Sequence, residues 1–255
     1  MKKITVYILL ALVVCCLLVS CQESVPVISD GFGRDPDSTY ADSQDLRDDT
    51  SHDDSRITVC IDPGHGFGDA GTTSEYLGDW TEKDVTMSIA TMLQTELEKL
   101  GYLVHMLHDG VTIPVNAKDD GNNLFRPAER IEAVRDIDID YYVSIHCDAY
   151  AADESVMGTR VYYSSGTAFA RKSKAAANDI KDAINDVLPR AKKTRVIEKS
   201  YKEAYYVIRE APVPSSLIEV GFVTNPTDAA NMLDEEWRQT IAEGIAAGID
   251  AFFAE

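Results

Sequence analysis

Positive charge is scarce in this sequence. The 255 residues include 24 lysines and arginines against 43 aspartates and glutamates, which gives a formal net charge of −19 at pH 7. Binding to nucleic acid depends on basic residues that neutralise phosphates, so this composition argues against a nucleic-acid partner. The chain also lacks an internal repeat and a second module. The roughly 200 residues after position 55 are enough for one domain with a single core.

One long apolar run stands at the N-terminus. Lys2 and Lys3 precede a run from Ile4 to Val19, which is too short for a helix that spans a membrane. The run ends in LVSC, which resembles the lipobox of bacterial lipoprotein signal peptides, cleaved before Cys21. We therefore expect residues 1–20 to be a lipoprotein signal peptide and Cys21 to be lipidated. An ordinary secretory signal with a chance cysteine is the alternative.

Large apolar side chains are few in residues 21–55. Between Gln22 and Ser55 there are ten acidic and two basic residues. Such a segment cannot bury enough surface to offset its chain entropy, so we predict an acidic, disordered tether. Its DDTSHDDS stretch lacks the glycine and the final glutamate of an EF-hand loop, which argues against calcium binding. Residues 56–255 remain as the folded domain.

Strand-like runs alternate with amphipathic helical segments through residues 56–255. Predicted strands are ITVCID (57–62), YLVHML (102–107), YYVSIH (141–146), TRVYYS (159–164), YYVIR (205–209) and SSLIEV (215–220). Predicted helices follow Thr81, open at Pro127 and Pro226, and run through Ala176–Val187 and Trp237–Phe252. This alternation predicts a single α/β domain with a twisted, roughly six-stranded, mostly parallel sheet flanked by helices on both faces. A functional site is expected at the carboxyl ends of the strands.

Polar side chains stand at three of these strand ends. The first strand runs into DPGHG, which carries His65; the third ends at His146; and Glu219 interrupts the apolar SSLIEVGF. Glu82 follows Thr81 at a helix start, where the helix dipole favours an ionised carboxylate. Two imidazoles and one carboxylate are the protein ligands of a catalytic zinc ion with one open position. Each residue alone also fits a purely structural role.

Two of these residues raise further questions. His146 precedes Cys147, so it could be a metal ligand, the base of a cysteine nucleophile, or a bystander. Successive strand residues point to opposite faces, which disfavours the His–Cys pair. A buried carboxylate such as Glu219 is costly without a partner, and a metal-bound water would compensate it.

Four sequence blocks resemble those of a known family. VCIDPGHG, Glu82-Lys83-Asp84, YYVSIHCDA and SLIEVGFVTNP look like blocks of the zinc-dependent N-acetylmuramoyl-L-alanine amidases, the Amidase_3 family, in the same order. The resemblance implies one zinc ion held by His65, Glu82 and His146, with Glu219 as the catalytic glutamate. It implies hydrolysis of the amide between N-acetylmuramic acid and L-alanine in peptidoglycan, so that residues 56–255 would be the catalytic domain.

Three other polar residues have two interpretations each. Asp148 stands where the family commonly has asparagine, and it or Asp62 could orient a zinc ligand through a hydrogen bond. A plain polar strand end explains Asp148 equally well. Arg209 matches an arginine of the family's pattern and could meet a carboxylate of the peptide stem, although an ion pair that stabilises the fold is the alternative.

The remaining cysteines and histidines are expected to be structural. Cys60 and Cys147 could form a disulfide if their geometry allowed it, but we expect buried free thiols. We expect His105 to be an ordinary strand residue and His108 to lie on the surface.

Partners and location follow from the resemblance and the signal peptide. Some family members carry a long helical insertion that covers the zinc until a partner displaces it. About twenty residues separate Asp148 from the helix expected near Ala168, so we expect an open site that needs no activator.

We expect a monomer that acts on peptidoglycan and reaches the membrane only through its lipid anchor. Its expected place is the periplasmic face of an outer membrane, or the outer face of the cell membrane in a single-membrane bacterium. Two alternatives stay open: a zinc amidase or peptidase of this fold that cleaves another amide, and a non-catalytic, peptidoglycan-binding lipoprotein.

Overall fold

A computed structural model describes residues 56–112, 114, 121–188 and 194–254. The predicted signal peptide, Cys21 and the tether lie outside these residues. The elements are β1 (Thr58–Pro63), α1 (Glu82–Lys99), β2 (Leu103–Met106), α2 (Pro127–Val134), β3 (Tyr141–Asp148), β4 (Arg160–Ser164), α3 (Ala170–Val187), β5 (Arg195–Lys199), α4 (Tyr206–Arg209), β6 (Ser215–Phe222), α5 (Pro226–Leu233) and α6 (Glu235–Ala254). None of the helices within the described ranges is long and apolar enough to cross a membrane.

The strands of the described residues form one six-stranded sheet in the order β2-β1-β3-β6-β4-β5. Neighbouring strands are parallel except β4 and β6, which pair antiparallel. The prediction of an α/β domain with a mostly parallel sheet is therefore confirmed. β1, β3 and β6 run side by side in the same direction, so their carboxyl ends meet at one edge.

One predicted strand is wrong. Residues 205–209 were expected to form a strand, but Tyr206–Arg209 is a single helical turn, and the fifth strand is instead β5. The consecutive residues Val207 and Ile208 are both buried. A strand would turn them to opposite faces, whereas one helical turn packs both against the sheet. β5 escaped prediction because it is an edge strand with charged residues at both ends and little buried surface.

Helices cover both faces of the sheet, as predicted. One hydrophobic cluster joins α1, α3 and α6 to alternate strand residues such as Ile61 and Val143. A second, smaller cluster joins the short helices α2 and α4 to the intervening residues, among them Tyr142 and Leu217. The long helices thus bury the larger part of the core on one face.

The two cysteines illustrate this separation of faces. Cys60 is buried in the cluster beneath α2 and α4, whereas Cys147 is buried in the cluster beneath the long helices. Both thiols are free, as expected. Because the two side chains lie on opposite sides of the sheet, they cannot approach each other to form a disulfide.

The first turn of α1 is fixed by local sequence. The Asp84 carboxylate accepts hydrogen bonds from the backbone N–H and the hydroxyl of Thr81, both at 2.8 Å. This capping arrangement makes Glu82 the first helical residue, as the sequence predicts. Gly101, with φ of 94°, follows the helix end in a conformation that favours glycine.

Candidate metal centre

His65, Glu82 and His146 come together at the carboxyl edge of the sheet. The Glu82 Oε1 atom lies 3.1 Å from His65 Nε2 and 3.0 Å from His146 Nδ1. One potential ligand atom from each of the three residues lies within 4.8 Å of the other two. Ligand atoms roughly 2 Å from a shared zinc ion are themselves a little over 3 Å apart in a tetrahedron. The spacing of this triad therefore fits one zinc ion.

Glu82 is the buried centre of the triad. Its Oε1 also accepts the backbone N–H of Cys147 at 2.9 Å, and its Oε2 accepts that of Thr72 at 2.8 Å. Burial alone would raise the pKa of Glu82, but hydrogen bonds and charge from His146 and His65 outweigh it and hold that pKa well below its ordinary value. The carboxylate is thus kept ionised, as a metal ligand must be.

His65 is held in an unusual backbone conformation. Its φ is 63°, in the left-handed region that costs a non-glycine residue about 1–2 kcal/mol. Its Nδ1 lies 2.8 Å from the Asp69 carboxylate, which leaves Nε2 directed at Glu82. Burial lowers the pKa of His65, but the hydrogen bonds to Glu82 and Asp69 outweigh it and raise that pKa.

Asp69 contacts His65, and the sequence analysis missed it. It binds the nitrogen of His65 that faces away from the triad, an arrangement that fixes the orientation of metal-binding histidines. A second oxygen of Asp69 accepts the backbone N–H of Gly71 at 3.0 Å. The available signal was a carboxylate four residues after the histidine in a glycine-rich turn.

Glu219 lies beside the triad on the neighbouring strand. It is in register with His146 across β3 and β6, and only 6 % of its surface is exposed. Burial raises the pKa of Glu219 well above its ordinary value, Asp148 and Glu82 add to this rise, and Arg160 opposes it. Its Oε2 has no hydrogen-bond partner among the described residues. A site that binds a metal ion and a polar substrate would explain why this buried carboxylate oxygen lacks a partner.

A cavity of about 150 Å³ lies beside the triad. Its charged and imidazole side chains are His65, Asp69, Arg130, His146 and Glu219. The rest of its lining is mostly apolar or aromatic: Phe125, Pro127, Tyr205, Tyr206, Val207 and Leu217. Polar groups that converge in a mostly apolar cavity are typical of an active site.

Asp62 and Asp148 lie close to the site, but their carboxylates contact residues outside the triad. Asp62 is fully buried and pairs with Arg130, while its other oxygen accepts the hydroxyls of Tyr142 at 2.6 Å and Ser144 at 2.8 Å. Asp148 forms an ion pair of 3.1 Å with Arg160. Neither aspartate has a side-chain hydrogen bond to the triad within the part of the chain that the structure describes.

The contacts of Arg209 are those of a residue that stabilises the fold through an ion pair. Its Nε lies 3.2 Å from the Glu210 carboxylate, and its guanidinium lies over the rings of Tyr206 and Tyr201. Arg209 does not line the cavity beside the triad, as far as the described residues go. The arginine whose charge acts on Glu219 is Arg160.

The histidine predictions have mixed outcomes. His105 lies in β2, as expected. The prediction of a surface position for His108 is wrong: its residue is 5 % exposed, and its Nε2 lies 2.8 Å from the carbonyl oxygen of Pro63. Cys147 turns into the core while His146 faces Glu82, which excludes the pair of base and nucleophile.

An α/β sheet with a His–Glu–His site and a buried glutamate at its carboxyl edge is the arrangement typical of a zinc-dependent metallohydrolase. The family follows from sequence comparison. Residues 59–251 match the Amidase_3 family, described as N-acetylmuramoyl-L-alanine amidase, and the chain belongs to that family.

Individual relatives agree with this membership. The chain is 31% identical over 198 residues to the probable cell wall amidase LytH of Staphylococcus aureus, covering 77% of this chain and 58% of the relative. It resembles the solved N-acetylmuramoyl-L-alanine amidase AmiC2 of Nostoc punctiforme with 27% identity and a TM-score of 0.63. It resembles the amidase of Clostridium difficile 630 with 26% identity and a TM-score of 0.68. Each of these two alignments covers 78% of this chain and 98% of the solved one, whereas the chain spans less than two thirds of LytH.

Gly71 supplies a test of the metal centre. A Cβ atom there would lie 2.6 Å from the His65 ring and 2.7 Å from Glu82 Oε2. We expect Gly71→Ala to push these ligands apart and weaken zinc binding by a factor of about 10 or more, measured by competition with a chromogenic chelator. Gly78→Ala is the control, because Gly78 has a similar φ of 60° but open space around its Cβ position. Equal zinc affinity in the two variants would contradict the site.

Proposed function

We propose that this chain hydrolyses the amide between N-acetylmuramic acid and the L-alanine of the peptidoglycan stem, with one zinc ion held by His65, Glu82 and His146. The observation that carries the proposal is the buried Glu219 carboxylate, with one oxygen unpartnered among the described residues, beside the triad and on the same cavity. Membership of the amidase family supplies the substrate class.

The residues around the cavity have complementary roles in this reaction. Bound zinc would lower the pKa of water from 15.7 to about 7 and polarise the scissile carbonyl. Glu219 accepts a proton from the attacking water and returns it to the nitrogen of L-alanine as that amine leaves. Asp69 holds the His65 ring in place. The apolar wall that includes Phe125 and Leu217 limits water and strengthens the electrostatic interactions within the cavity.

The connection between β3 and β4 supports an open site. The connection between β3 and β4 contains no helix in the described chain, and α3 begins at Ala170. We therefore propose that the zinc-loaded chain needs no activating protein, and we also propose that it acts as a monomer.

Digestion of purified sacculi tests the reaction. The zinc-loaded chain, with no second protein added, should release free stem peptides that begin with L-alanine, detected by mass spectrometry. Cleavage within the stem would point to a peptidase of this fold instead. Binding to sacculi without any release would indicate a non-catalytic protein, and activity only after addition of a second protein would refute the open site.

Glu219→Gln tests the proton transfer. The amide keeps the size of the side chain but cannot take up a proton, so we expect a 10²- to 10⁴-fold loss of hydrolysis rate with zinc content and fold retained. Glu236→Gln at an exposed position of α6 is the control and should retain full activity. Substantial hydrolysis by Glu219→Gln would show that another group moves the proton.

The N-terminal 55 residues resemble the start of a bacterial lipoprotein. We propose that residues 1–20 are removed, that Cys21 carries a lipid, and that residues 21–55 tether the catalytic domain, residues 56–255, outside the cytoplasm. The support is the LVSC pattern after an apolar run, together with the acidic, polar composition of the next segment. The lipid would hold the domain at a membrane surface facing peptidoglycan.

Cys21→Ser tests the anchor. Without the thiol there is no acceptor for the lipid, so we expect the protein to lose incorporation of a labelled fatty acid and to leave the membrane fraction. Cys16→Ser is the matched control, because Cys16 would depart with the signal peptide. Persistent fatty-acid labelling of Cys21→Ser would exclude lipidation at this position.

A further inference from the structure

A buried arginine lies beneath the turn that carries His65. Arg130, on α2, is 5 % exposed. Its guanidinium donates to the carbonyl oxygens of Pro63, at 2.8 Å, and of His65, and it forms an ion pair with Asp62. These two carbonyls stand on either side of Gly64, so one planar group holds both ends of the turn. Arg130 also lines the cavity that contains Glu219, but the proposed proton transfer gives it no role.

Two further side chains, Thr86 and His108, donate hydrogen bonds to carbonyl oxygens of the turn. Thr86 of α1 donates its hydroxyl to the Gly64 carbonyl at 2.8 Å. His108 lies 2.8 Å from the Pro63 carbonyl through Nε2, and its Nδ1 accepts the Gly110 backbone N–H at 3.1 Å. This arrangement makes Nε2 the donor, so the Pro63 carbonyl accepts from both Arg130 and His108. Side chains from three parts of the chain thus converge on three consecutive carbonyls.

The turn needs such support because its backbone is strained. His65 and Phe67 have φ values of 63° and 55°, which non-glycine residues adopt only where their surroundings hold them. The orientation of the His65 main chain determines where its imidazole lies relative to Glu82. An error of a few tenths of an ångström there would misplace a ligand, since metal sites tolerate deviations of about 0.2 Å.

Asp62 connects this support to the second histidine. Its carboxylate binds Arg130 on one side and the hydroxyls of Tyr142 and Ser144 on the other. Both hydroxyl residues belong to β3, which carries His146 two residues after Ser144. The ion pair therefore joins the turn of one histidine to the strand of the other.

We propose that Arg130, held by Asp62, is a positioning residue that sets His65 for zinc binding through the main chain of the Pro63–His65 turn. A lysine at this position cannot replace it, because a single ammonium does not span two carbonyls and a carboxylate as the planar guanidinium does. The inference rests on the proposed zinc site but not on the proposed substrate.

Arg130→Lys in the full chain tests the proposal. Partners that orient metal ligands typically contribute 10- to 100-fold to metal affinity, so we expect zinc to bind 10- to 100-fold more weakly in competition with a chromogenic chelator. We also expect the visible absorption of the cobalt-substituted protein to change at saturating metal, because the ligand geometry changes. Circular dichroism and urea unfolding show whether the variant is folded.

Arg238→Lys is the matched control. Arg238 is 6 % exposed and donates to the Met232 carbonyl at 2.7 Å and to the Ser88 hydroxyl at 2.9 Å. Its guanidinium lies over the Trp80 ring, as that of Arg130 lies over the Phe125 ring. It belongs to the α6 side of the fold, and within the described residues it has no hydrogen bond or ion pair with the turn. Its replacement should lower stability to a similar extent while zinc affinity and the cobalt spectrum stay unchanged.

The outcomes separate positioning from general stability. Wild-type zinc affinity in Arg130→Lys, or an equal loss in Arg238→Lys, would overturn the proposal. If Arg130→Lys does not fold, Asp62→Asn decides by the same measurements, because it keeps a group that accepts the two hydroxyls but removes the charge that holds Arg130. Failure of the unaltered chain to bind zinc would refute the zinc site itself, and a wrong amide substrate would leave these measurements unaffected.

Discussion

The carboxylate of Glu82 is the interaction on which the site depends. Burying a carboxylate costs several kcal/mol unless charge and hydrogen bonds compensate it, and each of its two oxygens is accounted for. Oε1 meets both histidines and the Cys147 N–H, while Oε2 meets the Thr72 N–H. One side chain therefore connects the start of α1, the loop after β1 and the end of β3. The capping of α1 by Asp84 places it there, so a local sequence signal determines a tertiary junction.

The alternation of side chains along the strands explains why function and most of the core lie on different faces. His146 and Glu219 are in register and share the face that carries α2 and α4. Cys147, one residue on, packs beneath the long helices. The short helices leave room for a cavity on their face, whereas α1, α3 and α6 bury a continuous apolar surface on the other. The site can thus contain buried charge without interrupting the larger cluster.

The sequence was sufficient for the fold class, which depends on short-range signals, whereas the choice of Glu82 as the third zinc ligand came from the resemblance to the family. The apolar strands end in polar residues, and parallel strands bring those ends together. Arg130 could not be predicted in this way, because its contacts with Asp62 and His65 depend on how α2 packs on the sheet. The same limit explains the error at His108, whose burial follows from its contact with Pro63. Residues 205–209 were wrongly predicted as a strand because a short apolar run fits a strand and a helical turn equally well.

The antiparallel pair of β4 and β6 has a consequence for Glu219. In a parallel neighbour, the first residue of the strand would lie at the opposite edge of the sheet from the end of β6. Because β4 runs in the opposite direction, its first residue, Arg160, is in register with Glu219. Arg160 also pairs with Asp148, whose negative charge adds to the rise in the pKa of Glu219, while Arg160 opposes that rise. The single reversal in an otherwise parallel arrangement thus brings a positive charge to an edge that the strand ends have made acidic.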